Sequence, residues 1–292
     1  MPKKKSLISL IFSLRLPLVI FSVLLLAALT ATRIVSVRAD QPATALQYVA
    51  LGDSLPFGYQ PNNDFTHGYT TDLFQKLAKY NGYSTLVNLS CSGDTTATFI
   101  NGDPNHLNAQ RGCLVPAVQN GSQLASAVAY LQQNASQTGL VTLQIGIDDL
   151  LSTGVIDLNT CAIDQNKLNT ELGVVDQSLS QTILPQLQQA LSSAPAHPAH
   201  MALIGYFDPL VKACPATVPY IQTFNQHLSA DAHGYAQYID ISSLFNASNV
   251  CQLTWICQPN IPALGAIHPN TSGYQVIADV IYARGLVCHL FG

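Results

Sequence analysis

The chain is poor in charge. Only 10% of its 292 residues are Asp, Glu, Lys or Arg, against ~25% in an average soluble protein. Basic residues are scarcest where they would matter. Six of the twelve (Lys3, Lys4, Lys5, Arg15, Arg33 and Arg38) precede Asp40, and none of the sixteen acidic residues does. From Asp40 onward, 6 basic residues face 16 acidic ones, a formal charge of −10. Such a surface repels phosphate backbones, which argues against nucleic acid as a partner. No Gly-x-Gly-x-x-Gly fingerprint and no P-loop occurs, so a phosphate- or nucleotide-binding flavodoxin-like protein is a poor reading. Cys-x-x-Cys pairs are also missing, and Cys251 and Cys257 stand too far apart for a zinc knuckle. Neither a metal nor an organic cofactor is expected.

What is present begins with an address. Lys3, Lys4 and Lys5 precede an apolar run from Leu16 to Thr32, and Val37-Arg38-Ala39 follows. A basic start, an apolar middle and a small-residue exit describe a secretory signal peptide over residues 1–39. That apolar run is also just long enough to span a bilayer, so an uncleaved membrane anchor is the alternative. Either way the protein is expected outside the cell, secreted or held on the outer face of its membrane. All seven cysteines lie beyond this segment, and in an exported chain they read as disulfides. Nearest-neighbour pairing gives Cys91–Cys113, Cys161–Cys214 and Cys251–Cys257. Cys288 is left over and reads as a small buried hydrophobe.

Residues 40–292 suffice for one α/β domain with a large core. Neither an internal repeat nor a separating linker interrupts them. Short apolar runs at Tyr48–Leu51, Thr85–Leu89, Leu140–Ile145, Met201–Ile204 and Tyr238–Ile241 are continuous rather than alternating. That pattern predicts strands covered on both faces. Between them lie helical patterns: Leu124, Ala127, Val128 and Leu131, then a stripe of Leu168, Leu172, Val175, Leu179, Ile183, Leu187 and Leu191. Pro185 should kink or split the longer helix. A last helix carrying Val276, Ile277, Val280 and Ile281 starts behind Asn270 or Thr271 as N-cap. Alternating strands and helices predict an α/β fold, a three-layer α/β/α sandwich around a central parallel sheet.

The first strand ends in Gly52-Asp53-Ser54-Leu55. A serine presented there is either a helix N-cap or a nucleophile, and a nucleophile needs a base against its hydroxyl. His268, in Ile267-His268-Pro269-Asn270 ahead of the last helix, is the candidate base, because a free imidazole titrates near pH ~6.5. A further stretch, Asn88-Leu89-Ser90-Cys91-Ser92-Gly93-Asp94, places Gly93 just past the second apolar run. Phe57, Tyr59 and Phe65 follow the serine and could line an acyl pocket.

These three blocks, with Gly146-Ile147-Asp148-Asp149 as a fourth, resemble those of the SGNH (GDSL-type) serine hydrolases, over about Gln47 to Leu286. The resemblance implies a flavodoxin-like three-layer fold, Ser54 as nucleophile and His268 as general base and acid. It also implies an oxyanion hole from Ser54, Gly93 and the residue at 148. Two positions depart from the family pattern. Asp148 stands in Gly146-Ile147-Asp148-Asp149 where the family has asparagine, and an ionised carboxylate cannot donate to an oxyanion. The expectation is that the N–H groups of Ser54 and Gly93 suffice. Gly265 stands where the family has the aspartate that orients the histidine. A backbone carbonyl can fix the tautomer instead, or a carboxylate such as Asp240 can substitute. The implied activity is hydrolysis of carboxylic esters, with lipid, small acyl or carbohydrate acyl esters as substrate, by a monomer. The alternative is a catalytically impaired relative that binds an acylated or glycan ligand at the same edge.

Overall fold

The computed structural model describes residues 45–102, 112–114, 121–157, 160–193 and 200–291. The signal-peptide reading therefore falls outside the described residues. Five strands form the sheet: β1 (Leu46–Gly52), β2 (Tyr83–Asn88), β3 (Thr138–Gln144), β4 (His200–Ile204) and β5 (Gln237–Ile239). Each of the five expected runs became a strand, with ends shifted by a few residues. All pair in parallel in the order β2-β1-β3-β4-β5. Val49, Ala50 and Leu51 of β1 and Leu140, Val141 and Leu143 of β3 are fully buried, as continuous apolar strands require.

The helices are α1 (Ser54–Phe57), α2 (Tyr69–Tyr80), α3 (Thr96–Asn101), α4 (Gln123–Asn134), α5 (Ile147–Ser152), α6 (Gln165–Ser178), α7 (Leu184–Leu191), α8 (Val218–Ala232), α9 (Val250–Leu253), α10 (Ala263–Ala266) and α11 (Thr271–Val287). The crossover from β1 to β2 runs one way along the sheet, and the later ones run the other way. Right-handed connections therefore place α2 on one face and α4 to α8 on the other. The packing agrees, since α11 returns against α2 while α4 packs on α7 and α6 on α8. Every member of the expected Leu168–Leu191 stripe is buried. At Pro185 the expected split takes the form of a π-helical interruption rather than a loop. A π-helical turn, Leu179–Ile183, joins α6 to α7 just ahead of the proline, accommodating the missing N–H in a widened ladder. Asn270 is the N-cap of α11, its side chain accepting from Gly273 N at 3.0 Å.

The three expected disulfides are present, and Cys288 is free and half-buried. Among the described residues no helix is long and apolar enough to cross a membrane. The strand order reverses between β2-β1 and β1-β3, and ligands of such sheets bind outside the carboxyl ends at that point. Ser54 and Asp148 follow those two strands.

Candidate active site

The turn after β1 admits only glycine at 52. Its φ is +131°, and a Cβ there would fall 1.8 Å from the Gln144 carbonyl oxygen. Asp53, not Ser54, caps α1, with Oδ1 accepting from Leu55 N at 2.9 Å. Ser54 becomes the first helical residue, and its hydroxyl is left for other work. Asp53 is fully buried, and its Oδ2 accepts from the Tyr206 hydroxyl. Burial, reinforced by the charge of Asp148, raises its carboxyl pKa well above the usual range. Tyr206 is itself clamped by Asn225, which accepts from its N–H at 2.8 Å and donates to its carbonyl at 2.7 Å.

A second clamp comes from Gln123, buried at the first turn of α4. Its Oε1 accepts from Gly52 N at 2.6 Å, and its Nε2 donates to Gly52 O at 2.9 Å and to Asp94 at 2.8 Å. One amide thus ties the turn before Ser54 to the loop that carries Gly93. Cys91 N donates to Gly52 O at 3.0 Å, and Cys91 is bonded to Cys113. Gly93 has φ +85°, a backbone that favours glycine. Asp149, the last residue of its block, accepts from Thr96 N at 2.8 Å and Thr96 Oγ1 at 2.6 Å. It therefore fastens α3 to α5 rather than facing solvent. No spacing rule announces Gln123, Asn225 or Tyr206. They act over long sequence separations, and each reads locally as an ordinary polar or aromatic residue.

His268 closes the site from the opposite end of the chain. Its Nε2 lies 2.7 Å from Ser54 Oγ, and its Nδ1 lies 3.3 Å from the Gly265 carbonyl. A carbonyl can only accept, so Nδ1 carries the proton and Nε2 presents a lone pair to the serine hydroxyl. Trp255 N donates to His268 O at 3.2 Å, and Asn270 N to Leu253 O at 2.9 Å. These bonds tie the histidine loop to the α9 segment, which Cys251–Cys257 staples. Loss of hydration pulls the His268 pKa down to about 4, against a weaker upward pull from the Gly265 and Leu264 carbonyls. Asp240 does not replace the missing carboxylate. It is exposed and accepts from Ser242 N at 2.8 Å.

Ser54, Gly93, Asp148, Gly265 and His268 line one cavity of about 280 Å³. Leu55, Ile147, Leu151, Phe207, Pro209, Leu264 and Ile267 give it apolar walls, and Tyr59, Ser92, Ser152 and Tyr206 complete it. Of the three aromatics expected to line an acyl pocket, only Tyr59 does. Phe57 is buried and meets Phe65 edge to face at 5.3 Å, so this pair is packing. No group of three His, Cys, Asp or Glu suited to a metal ion occurs among the described residues.

The model of the GDSL-like lipase/acylhydrolase family matches residues 50–276. Among solved structures, a lipase from a goat rumen metagenome aligns over 82% of this chain and 97% of its own, at 17% identity and a TM-score of 0.55. A phospholipase A1 from Streptomyces albidoflavus (22% identity, TM-score 0.47) covers 82% and 99%. An acetylxylan esterase from Geobacillus stearothermophilus (14% identity, TM-score 0.48) covers 82% and 94%. The likeness to the rumen lipase is one of fold. No curated protein matches the sequence.

Proposed function

The chain belongs to the GDSL-like lipase/acylhydrolase family, and from that premise we propose that it hydrolyses carboxylic esters through a Ser54 acyl-enzyme. The observation that carries this is the 2.7 Å contact between His268 Nε2 and Ser54 Oγ, with Nδ1 turned to the Gly265 carbonyl. His268 takes the Ser54 proton as Oγ bonds to the ester carbonyl carbon. It returns that proton to the alcohol oxygen as the C–O bond breaks. Water then repeats the sequence against the acyl-enzyme, releasing the acid and restoring Ser54. The N–H groups of Ser54 and Gly93 receive the oxyanion. Asp148, when ionised, contributes no donor there, and one lost donor costs about 10²–10³ in rate. The reaction as written needs no metal or cofactor.

An imidazole with a pKa of about 4 is unprotonated from mildly acidic pH upward, so the base is available over that whole range. Its weakness as a base, and the lack of a carboxylate behind it, favour slow turnover. The mixed apolar and polar cavity suits a small acyl, lipid or carbohydrate acyl ester as substrate. We further propose that residues 1–39 are removed or serve as an anchor, and that residues 40–292 act outside the cell as a monomer. The three disulfides fit that address.

Asp148 and Gly265 favour a second reading, a binding relative that holds an acylated or glycan ligand without turning it over. Covalent labelling by a fluorophosphonate separates the two. Labelling of the protein but not of Ser54→Ala supports the hydrolase, and no labelling supports the binding relative.

A further inference from the structure

The family's acidic residue is missing at 265, and something else occupies its surroundings. The Tyr59 hydroxyl lies 3.9 Å from where a Cβ at residue 265 would stand. The ring of Tyr59 is 4.6 Å from the His268 ring, centroid to centroid, inclined at 54°. Its backbone is fixed from two sides. Tyr59 N donates to Ser54 O at 3.0 Å, and Tyr59 O accepts from the Tyr274 hydroxyl of α11 at 2.8 Å. Gly58, in a left-handed conformation, approaches Gly68 so closely that a Cβ would meet Gly68 Cα at 2.9 Å. The backbone that carries Tyr59 is therefore held in place. One residue is bonded to the nucleophile's own carbonyl, anchored to the helix behind the histidine, and packed against the imidazole.

We infer that Tyr59 is the positioning residue that stands in for the absent carboxylate, bracing the His268 ring and stabilising the imidazolium formed in turnover. The inference rests on the hydrolase reading above. An aromatic ring attracts a cation placed within ~6 Å of its centroid, most strongly where water is excluded. The two centroids, 4.6 Å apart, lie within that distance. The other groups facing His268 are the Ser54 hydroxyl on α1 and the carbonyls of Gly265 and Leu264 on α10. Across the cavity stand Asp148 of α5 and Tyr206 beyond β4, and no Lys or Arg is among the lining residues.

The test is a double-mutant cycle on the full chain, read by ester hydrolysis, with an NMR titration of His268. Tyr59→Leu should lower kcat by roughly two- to thirty-fold with KM little changed, and should lower the pKa of His268, because the imidazolium loses its aromatic partner. Tyr59→Phe, which keeps the ring, should restore both. With Gly265→Asp present, a carboxylate takes over the bracing, and the Tyr59→Leu loss should shrink to about twofold or less. Equal losses in both backgrounds would mean a merely structural tyrosine and overturn the inference, as would Tyr59→Phe failing like Tyr59→Leu. If turnover does not depend on Ser54 at all, the hydrolase reading falls, and the His268 titration alone decides on Tyr59. A His268 pKa lowered in Tyr59→Leu and restored in Tyr59→Phe supports the role, and an unchanged pKa refutes it.

Discussion

Replacing Gly265 by Asp should turn the dyad into a triad. The site leaves room, because a Cβ at 265 would lie 3.4 Å from Pro61 Cβ and 3.5 Å from Ile261 Cγ2. No left-handed backbone has to be surrendered, since Gly265 sits in the helical turn of α10 with its N–H bonded to Pro262 O at 2.8 Å. At present His268 Nδ1 faces only a neutral carbonyl at 3.3 Å, and burial holds the imidazolium pKa near a value of about 4. An adjacent carboxylate favours the charged ring by about 1–3 pKa units, or about 1.4–4 kcal/mol. His268 should then titrate between roughly pH 5 and pH 7. The same charge stabilises the transition state in which His268 holds the Ser54 proton. Loss of the acidic member costs ~10⁴ in kcat in the serine-protease template. A gain of about 10- to 10³-fold is expected here, because the surrounding residues are already arranged around Tyr59 rather than a carboxylate. Hydrolysis of p-nitrophenyl butyrate from about pH 4 to about pH 8 reads both effects. A folded Gly265→Asp protein with the same kcat and the same acid limb would refute the reasoning.

Three further outcomes are expected. In the unmodified protein, kcat/KM should rise with pH through an apparent pKa of about 4 and then stay level to neutrality. The sign follows from the base: protonation of His268 at low pH removes activity, and an acid limb near pH ~6.5 would contradict the desolvated site. Asp148→Asn restores an oxyanion donor and should raise the rate at neutral pH, by up to about 10²-fold; an unchanged or lower rate in single-turnover kinetics would contradict the assigned oxyanion site. Gln123→Leu leaves Gly52 N, Gly52 O and Asp94 without their shared amide. It should cost about 2–4 kcal/mol in chemical denaturation, with little effect if the clamp is dispensable.

The strands were legible because a parallel sheet buried on both faces demands unbroken apolar runs, which stand out at Tyr48–Leu51 and Leu140–Ile145. The candidate pair Ser54 and His268 was legible for a different reason. Ser54 follows a strand at a glycine turn, and His268 precedes a capped helix, so each carries its own local context. The supports were not legible. Gln123 reaches Gly52 over 71 residues and Tyr206 reaches Asp53 over 153, and nothing in their neighbourhoods marks them. Tyr59 looked like a pocket aromatic among three, whereas the fold sends Phe57 into the core and leaves only Tyr59 beside the imidazole. The π-helical turn before Pro185 was missed because a proline predicts a break, while a widened turn satisfies the same constraint.

The most direct test of the central claim is ester hydrolysis by the protein beside its Ser54→Ala variant, on p-nitrophenyl acetate, butyrate and laurate. Turnover that vanishes in Ser54→Ala, with a burst of p-nitrophenol from the acyl-enzyme, is the predicted result. Equal rates from both folded proteins on all three esters would contradict a Ser54 acyl-enzyme.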